Sequence, residues 1–217
     1  FTGCVRAAPQ SASAKGGENY LNSFEQEVLL YLKEYPHLKE KKIETIFVGG
    51  GTPSILSVPQ WQRLSNLINN NFTLAEKYEW TIECNPESFT AKKAHAWIDS
   101  GVNRLSMGVQ SLDDKVLKLA DRIHSAETVK KVLSSPEIKL FERVSCDVIY
   151  GLPSQTVTDL QETLTTLLSF PAVTHLSAYE LTIAEGTPFA SLTKNQFPDD
   201  ELLADYEEVV LNTLLDA

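Results

Sequence analysis

The 217-residue chain is poor in cysteine and histidine, has fewer bases than acids, and contains no long apolar run. Three cysteines, Cys4, Cys84 and Cys146, cannot close a paired disulfide framework. Their odd number fits a reducing compartment, with cytoplasm the expected one. No stretch approaches the roughly 20 consecutive apolar residues of a membrane span, so no transmembrane segment is expected. Residues 1–17, FTGCVRAAPQSASAKGG, have neither a basic start with an apolar block nor an arginine-rich amphipathic pattern, and no targeting peptide is visible. Nineteen Lys and Arg stand against 29 Asp and Glu, a net charge of −10. Binding to a phosphate backbone relies on clustered bases, so nucleic acid is a disfavoured partner. HExxH, GxSxG, paired CxxC, GxxxxGK[ST] and GxGxxG are all missing, which leaves zinc-protease, hydrolase, P-loop and Rossmann readings without support.

Periodicity is what the chain does have. Helical spacing marks residues 18–35, 58–70, 90–100, 113–119, 126–134, 156–169 and 199–216. Short β-branched and aromatic runs mark strands at 43–51, 78–84, 102–109, 143–151 and 175–182. Residues 1–17 read as a flexible arm, and no boundary within 18–217 divides the rest. Five strands alternating with helices indicate consecutive βαβ units, hence an α/β fold with a parallel sheet, open or barrel-like. The strands are nearly continuous in apolar residues, as expected where helices cover both faces. A helix ahead of the first strand is unusual, and one further strand is expected before residue 1. The start at Phe rather than Met agrees with a fragment or a processed form.

In parallel α/β folds, ligands bind beyond the carboxyl ends of the strands. Those ends carry GGGTP (Gly49–Pro53), ECNPES (Glu83–Ser88), GVQS (Gly108–Ser111) and CDVIYGLP (Cys146–Pro153). The glycines of GGGTP offer backbone amides to a ligand, although a tight strand-to-helix turn accounts for them equally well. Glu83, Gln110 and Asp147 stand where a buried strand would carry Val or Ile. A buried carboxylate needs a partner, either a ligand or an arginine such as Arg104 or Arg122. Arg122 can clamp a carboxylate or form an ordinary ion pair. Cys84 and Cys146 lie among apolar neighbours and read as inert core residues.

The succession FVGGGTPSIL, ECNPES, GVNRLSMGVQSLDD, RIH and DVIYGLPSQT closely resembles the radical S-adenosylmethionine proteins of the oxygen-independent coproporphyrinogen III oxidase group. ECNPES, VQSLDD and RIH look more like the haem-chaperone branch, HemW, than the dehydrogenase branch, HemN. The resemblance implies a partial (β/α)6 barrel whose first strand precedes a cluster loop. It implies that Gly50, Gly51 and Thr52 meet the amino-acid end of S-adenosylmethionine. Glu83, Gln110, Arg122 and Asp147 would then contact the rest of that cofactor or a second copy. The family holds a 4Fe–4S cluster through CxxxCxxC. Counting back from GGGTP places Cys4 at the second ligand and Ala7 at the third, with the first ahead of Phe1, so one thiolate remains for metal. The resemblance further implies haem or porphyrin as a ligand and a haem-recipient protein as a partner. It also implies a downstream haem-associated domain whose His-Asn segment does not occur here. Two other readings stay open. One is a coproporphyrinogen III dehydrogenase, in which a 5′-deoxyadenosyl radical takes hydrogen from propionates that then lose carbon dioxide. The other is a cluster-free nucleoside-binding module.

Overall fold

A computed structural model describes residues 14–191 and 197–215. Five strands, β1 (Lys42–Val48), β2 (Thr73–Cys84), β3 (Arg104–Gln110), β4 (Arg143–Tyr150) and β5 (His175–Glu180), form one sheet in sequential order. The pairs β1/β2 and β4/β5 are parallel. Seven α-helices occur among the described residues: α1 (Ala14–Glu34), α2 (Val58–Asn71), α3 (Ala91–Asp99), α4 (Asp114–Leu119), α5 (Ala126–Leu133), α6 (Val157–Leu168) and α7 (Asp200–Leu215). The chain clusters into two compact units, one up to Ser106 together with Lys139–Glu142, the other Met107–Ile138 with the residues from Arg143 on.

In unit 1, α2 starts where Ser57 and Gln60 exchange bonds in a capping box, with Pro59 in the first turn. Thr90 caps α3 by accepting from the Lys93 amide. Their inner faces meet β2 through aromatic rings. Trp61, Trp80 and Trp97 are essentially fully buried. Trp97 has the rings of Trp61, Phe89 and Phe141 at 6.4, 6.0 and 6.5 Å. Asn103 acts as a strand extension: its side chain accepts from the Trp80 amide at 2.8 Å and donates to the Tyr78 carbonyl at 3.0 Å. The asparagine of the GVNRLS motif is thereby a structural residue.

Three expectations change, two of them in this unit. The first helix begins at Ala14 rather than Glu18 and so takes in Gly16 and Gly17. A Cβ on Gly17 would sit 2.7 Å from the Gln60 side chain, so close approach of α1 to α2 accounts for glycine at this helical position. The second strand starts at Thr73, ahead of the predicted Tyr78. Ile43 faces Leu74 while Thr45 already faces Glu79, and this irregular stretch of β2 hid the strand's start. Coverage of both sheet faces holds for the central strands only. β3 and β4 are mostly buried, whereas β1 leaves Phe47 61% exposed and β5 leaves Tyr179 56% exposed. Among the described residues β1 and β5 each pair on one side alone, and apolar composition cannot report that.

In unit 2, Thr156 and Asp159 form the capping box of α6. Tyr206 of α7 is fully buried and donates to the Gln155 carbonyl at 2.6 Å, which ties the last helix to the loop after β4. Gly151 adopts φ 80° there.

Cys84 and Cys146 are both buried, and burial pushes each thiol up to about 12. The proton is held to higher pH in the folded chain than in the unfolded one. The stability this contributes is complete below about 9 and disappears as pH rises toward about 12. Urea denaturation at about pH 7 and 10.5 is expected to show the advantage of the unsubstituted chain over Cys146→Ala shrinking by about 2 kcal/mol. A constant difference would contradict the burial of that thiol.

Candidate functional site

The carboxyl end of β1 runs into Gly49, Gly50 and Gly51, and each glycine has its own physical reason. Gly50 and Gly51 hold φ of 84° and 71°, the left-handed region that side chains disfavour. Gly49 is needed for space, since a Cβ there would stand 2.8 Å from the Glu83 carboxyl carbon and 2.4 Å from the Phe47 ring. Glu83, at the end of β2, accepts a hydrogen bond from the Gly50 amide at 3.0 Å. The glutamate is therefore held by the glycine turn, and Arg104 is engaged elsewhere, with Glu79 at 3.7 Å and Thr81 at 3.3 Å. Thr52 opens a 3₁₀ turn, Pro53–Ile55, whose Ile55 amide bonds back to the Thr52 carbonyl at 3.1 Å.

Beside this turn lies a second 3₁₀ turn, Pro86–Ser88, from the ECNPES segment. The hydroxyls of Ser54 and Ser88 are 2.6 Å apart, and the Asn85 amide donates to Ser54 Oγ at 3.2 Å. Ser54 is fully buried. Sequence reasoning missed this serine pair. The signal was a serine one residue past Pro53 and another two past Pro86, which in isolation look like ordinary turn chemistry.

The remaining predicted site residues lie in unit 2. Gln110, the last residue of β3, has φ 67°, and Asp121 and Ser154 are likewise left-handed at 53° and 62°. Gln110 and Ser154 fall in the motif segments VQSLDD and GLPSQT, and Asp121 immediately precedes RIH. Non-glycine residues in this region store about 1–2 kcal/mol of strain each, a feature that concentrates at functional sites. Arg122 Nη2 lies 3.5 Å from the Gly108 carbonyl, at the edge of hydrogen-bond range. Asp147 sits half-buried on β4 in register with Ser177 of β5.

Much of the motif chemistry proves to be structural. Asp113 caps α4 by accepting from the Lys115 and Val116 amides, and Asp114 accepts from the Ala126 amide at 2.8 Å. Ser111 is buried and accepts from the Asp113 amide. His124 is buried with Nε2 3.0 Å from the Val109 carbonyl. Gln155 accepts from the Leu152 amide and donates to the Ile149 carbonyl.

Residues 11–167 match the family model for the Radical SAM superfamily. The chain belongs to the Radical SAM superfamily. "Heme chaperone HemW" of Bacillus subtilis is 33% identical over 91% of this chain and 52% of its own length. "Radical S-adenosyl methionine domain-containing protein 1, mitochondrial" of Mus musculus is 36% identical over 82% of this chain and 40% of its own. The solved structure of the Escherichia coli coproporphyrinogen III oxidase HemN, a radical SAM enzyme, superposes with a TM-score of 0.84 at 26% identity, covering 96% of this chain and 47% of that one. The fold is thus the parallel α/β partial barrel of the radical SAM type. The chain spans about half the length of the curated relatives it matches. No helix among the described residues is long and apolar enough to cross a membrane.

The superfamily joins S-adenosylmethionine to a 4Fe–4S cluster, and the two groups fare differently against the residues present. A zwitterionic amino acid suits the first site: a side-chain-free glycine turn lies against the Glu83 carboxylate, which the Gly50 amide steadies and which is an acceptor for an ammonium. The cluster does not fit the described residues. Ligation takes accessible thiolates, and Cys84 and Cys146 are buried thiols held protonated. No group of three His, Cys, Asp or Glu among the described residues could hold a metal. Cys4 and Ala7 lie outside the described residues, as does most of the arm predicted at 1–17.

Proposed function

We propose that this chain is the S-adenosylmethionine-binding barrel of a HemW-type haem chaperone. The observation that carries the reading is the bond from the Gly50 amide to the Glu83 carboxylate, which draws two motif loops into one recognition surface at the strand ends of unit 1. Gly50, Gly51 and Thr52 take the amino-acid end of the cofactor, and Glu83 contributes its carboxylate. Gln110, Arg122 and Asp147 are assigned to the same cofactor, or a second copy, by the motifs that carry them. Haem or porphyrin and a haem-recipient protein are the partners proposed for the protein that contains this barrel, supported by the names of its relatives. The cytoplasm is the proposed location, supported by the cysteine content.

A second reading has its own support in the HemN likeness: an oxygen-independent coproporphyrinogen III dehydrogenase. Calorimetric titration with S-adenosylmethionine tests what both readings share, and the absence of saturable heat would remove both. Haem titration followed at the Soret band separates them. A one-to-one haem complex supports the chaperone, whereas anaerobic turnover of coproporphyrinogen III would replace it with the dehydrogenase.

Cys4 is the proposed surviving metal ligand, and one thiolate does not hold a cubane. Anaerobic reconstitution with iron and sulfide is therefore expected to leave this chain with well under one iron equivalent. A measured content of about four irons and four sulfides, with a reducible cluster signal, would show that other residues ligate.

A further inference from the structure

Lys93 lies outside every motif that marks the site, in the first turn of α3. Its backbone amide is spoken for by the Thr90 cap at 3.3 Å. The side chain reaches away from the helix. Its ammonium donates to the Ser54 carbonyl at 2.5 Å and to the Ser88 carbonyl at 3.3 Å. Ser54 belongs to the turn that follows GGGTP, and Ser88 ends the turn that follows Glu83. The same two residues share a hydroxyl contact at 2.6 Å, and Ser54 Oγ holds the Asn85 amide.

An ordinary surface lysine does not explain this placement. A cation in the first helical turn opposes the helix dipole, and this turn carries no acidic residue to offset it. Both ammonium contacts are neutral carbonyls, and burial lowers the lysine's pKa. The arrangement costs solvation and gains a fixed distance between two loops.

We infer that Lys93 is a positioning residue: it clamps the Gly49–Ile55 turn to the Glu83–Ser88 turn, so that the glycine turn and the Glu83 carboxylate, joined through the Gly50 amide, meet the cofactor in fixed register. The inference rests on the cofactor reading proposed above. The clamp itself is a geometric statement that can be measured apart from it.

The test uses the full 217-residue chain as Lys93→Met, which keeps the apolar stem and removes the donors, and as Lys93→Arg, which restores a cation with several donors. S-adenosylhomocysteine is the probe for calorimetry, and amide hydrogen exchange is read over residues 50–55 and 85–89. Lys93→Met is expected to raise the Kd about tenfold and to speed exchange in both segments by a similar factor, while the melting temperature moves little. Lys93→Arg is expected to recover most of both. Unchanged exchange in either segment overturns the clamp, whatever the ligand does. Faster exchange with unchanged affinity overturns its role in positioning the cofactor. If the unsubstituted chain binds no probe, the cofactor reading and the positioning role fall together, a result distinct from loss of the clamp, which exchange reports separately.

Discussion

Glu83→Ala is expected to weaken S-adenosylmethionine binding by roughly 10- to 150-fold, the equivalent of losing one charge-assisted hydrogen bond of about 1.5–3 kcal/mol. Two losses combine. The ligand loses a carboxylate, and the Gly50 amide loses the acceptor that holds the glycine turn at 3.0 Å. Glu83 is only half-buried, so the fold itself should tolerate the change, with melting shifted far less than affinity. Glu83→Gln keeps an acceptor for the amide without the charge, and its Kd should fall between the two. Asp147→Ala is expected to act in the same direction. Calorimetry on the three variants decides the matter, and affinities equal to that of the unsubstituted chain would remove these residues from the site.

Trp97→Ala is expected to cost about 3–5 kcal/mol, the range for deleting a large aromatic from a packed core. Trp97 is 1% exposed and contacts three other rings, so no neighbouring side chain can close the space it leaves. Against a total stability of about 5–15 kcal/mol, the loss would leave unit 1 marginal at best. Trp80→Phe offers a control in the same cluster. The Trp80 indole N–H is buried without a hydrogen-bond partner, so its removal sacrifices no bond and should cost distinctly less. Urea denaturation followed by far-UV circular dichroism measures both. A cost below about 1 kcal/mol for Trp97→Ala would show that the aromatic cluster does not anchor the helices to β2.

The helices and strands were legible because each follows a short period that the chain carries residue by residue. Caps such as Thr156 with Asp159, and breakers such as Pro36 and Gly101, mark their ends within the same few positions. The strand-end motifs were legible for a different reason: a Glu, a Gln and an Asp stand next to buried Ile, Val and Cys in the strands. What each polar residue in a motif does was not legible. Gln110 and Asp113 look alike in VQSLDD, yet Asp113 is consumed as a helix cap while Gln110 is held in a left-handed conformation. Ser54 and Ser88 are 34 residues apart in the chain and touch only because β1 and β2 pair in parallel register and end side by side.

By itself, then, the sequence determined the scarcity of thiols, the αβ alternation and the order of the motifs, all properties that local periodicity and composition express. The tertiary structure decided which of the three glycines yields space to Glu83, which motif residues are spent on backbone amides, and that Lys93, outside every motif, bridges two of them. Those outcomes depend on distances between chain segments that no local pattern encodes, because hydrogen bonds select partners by position in space and the sheet sets that position only once its strands have paired.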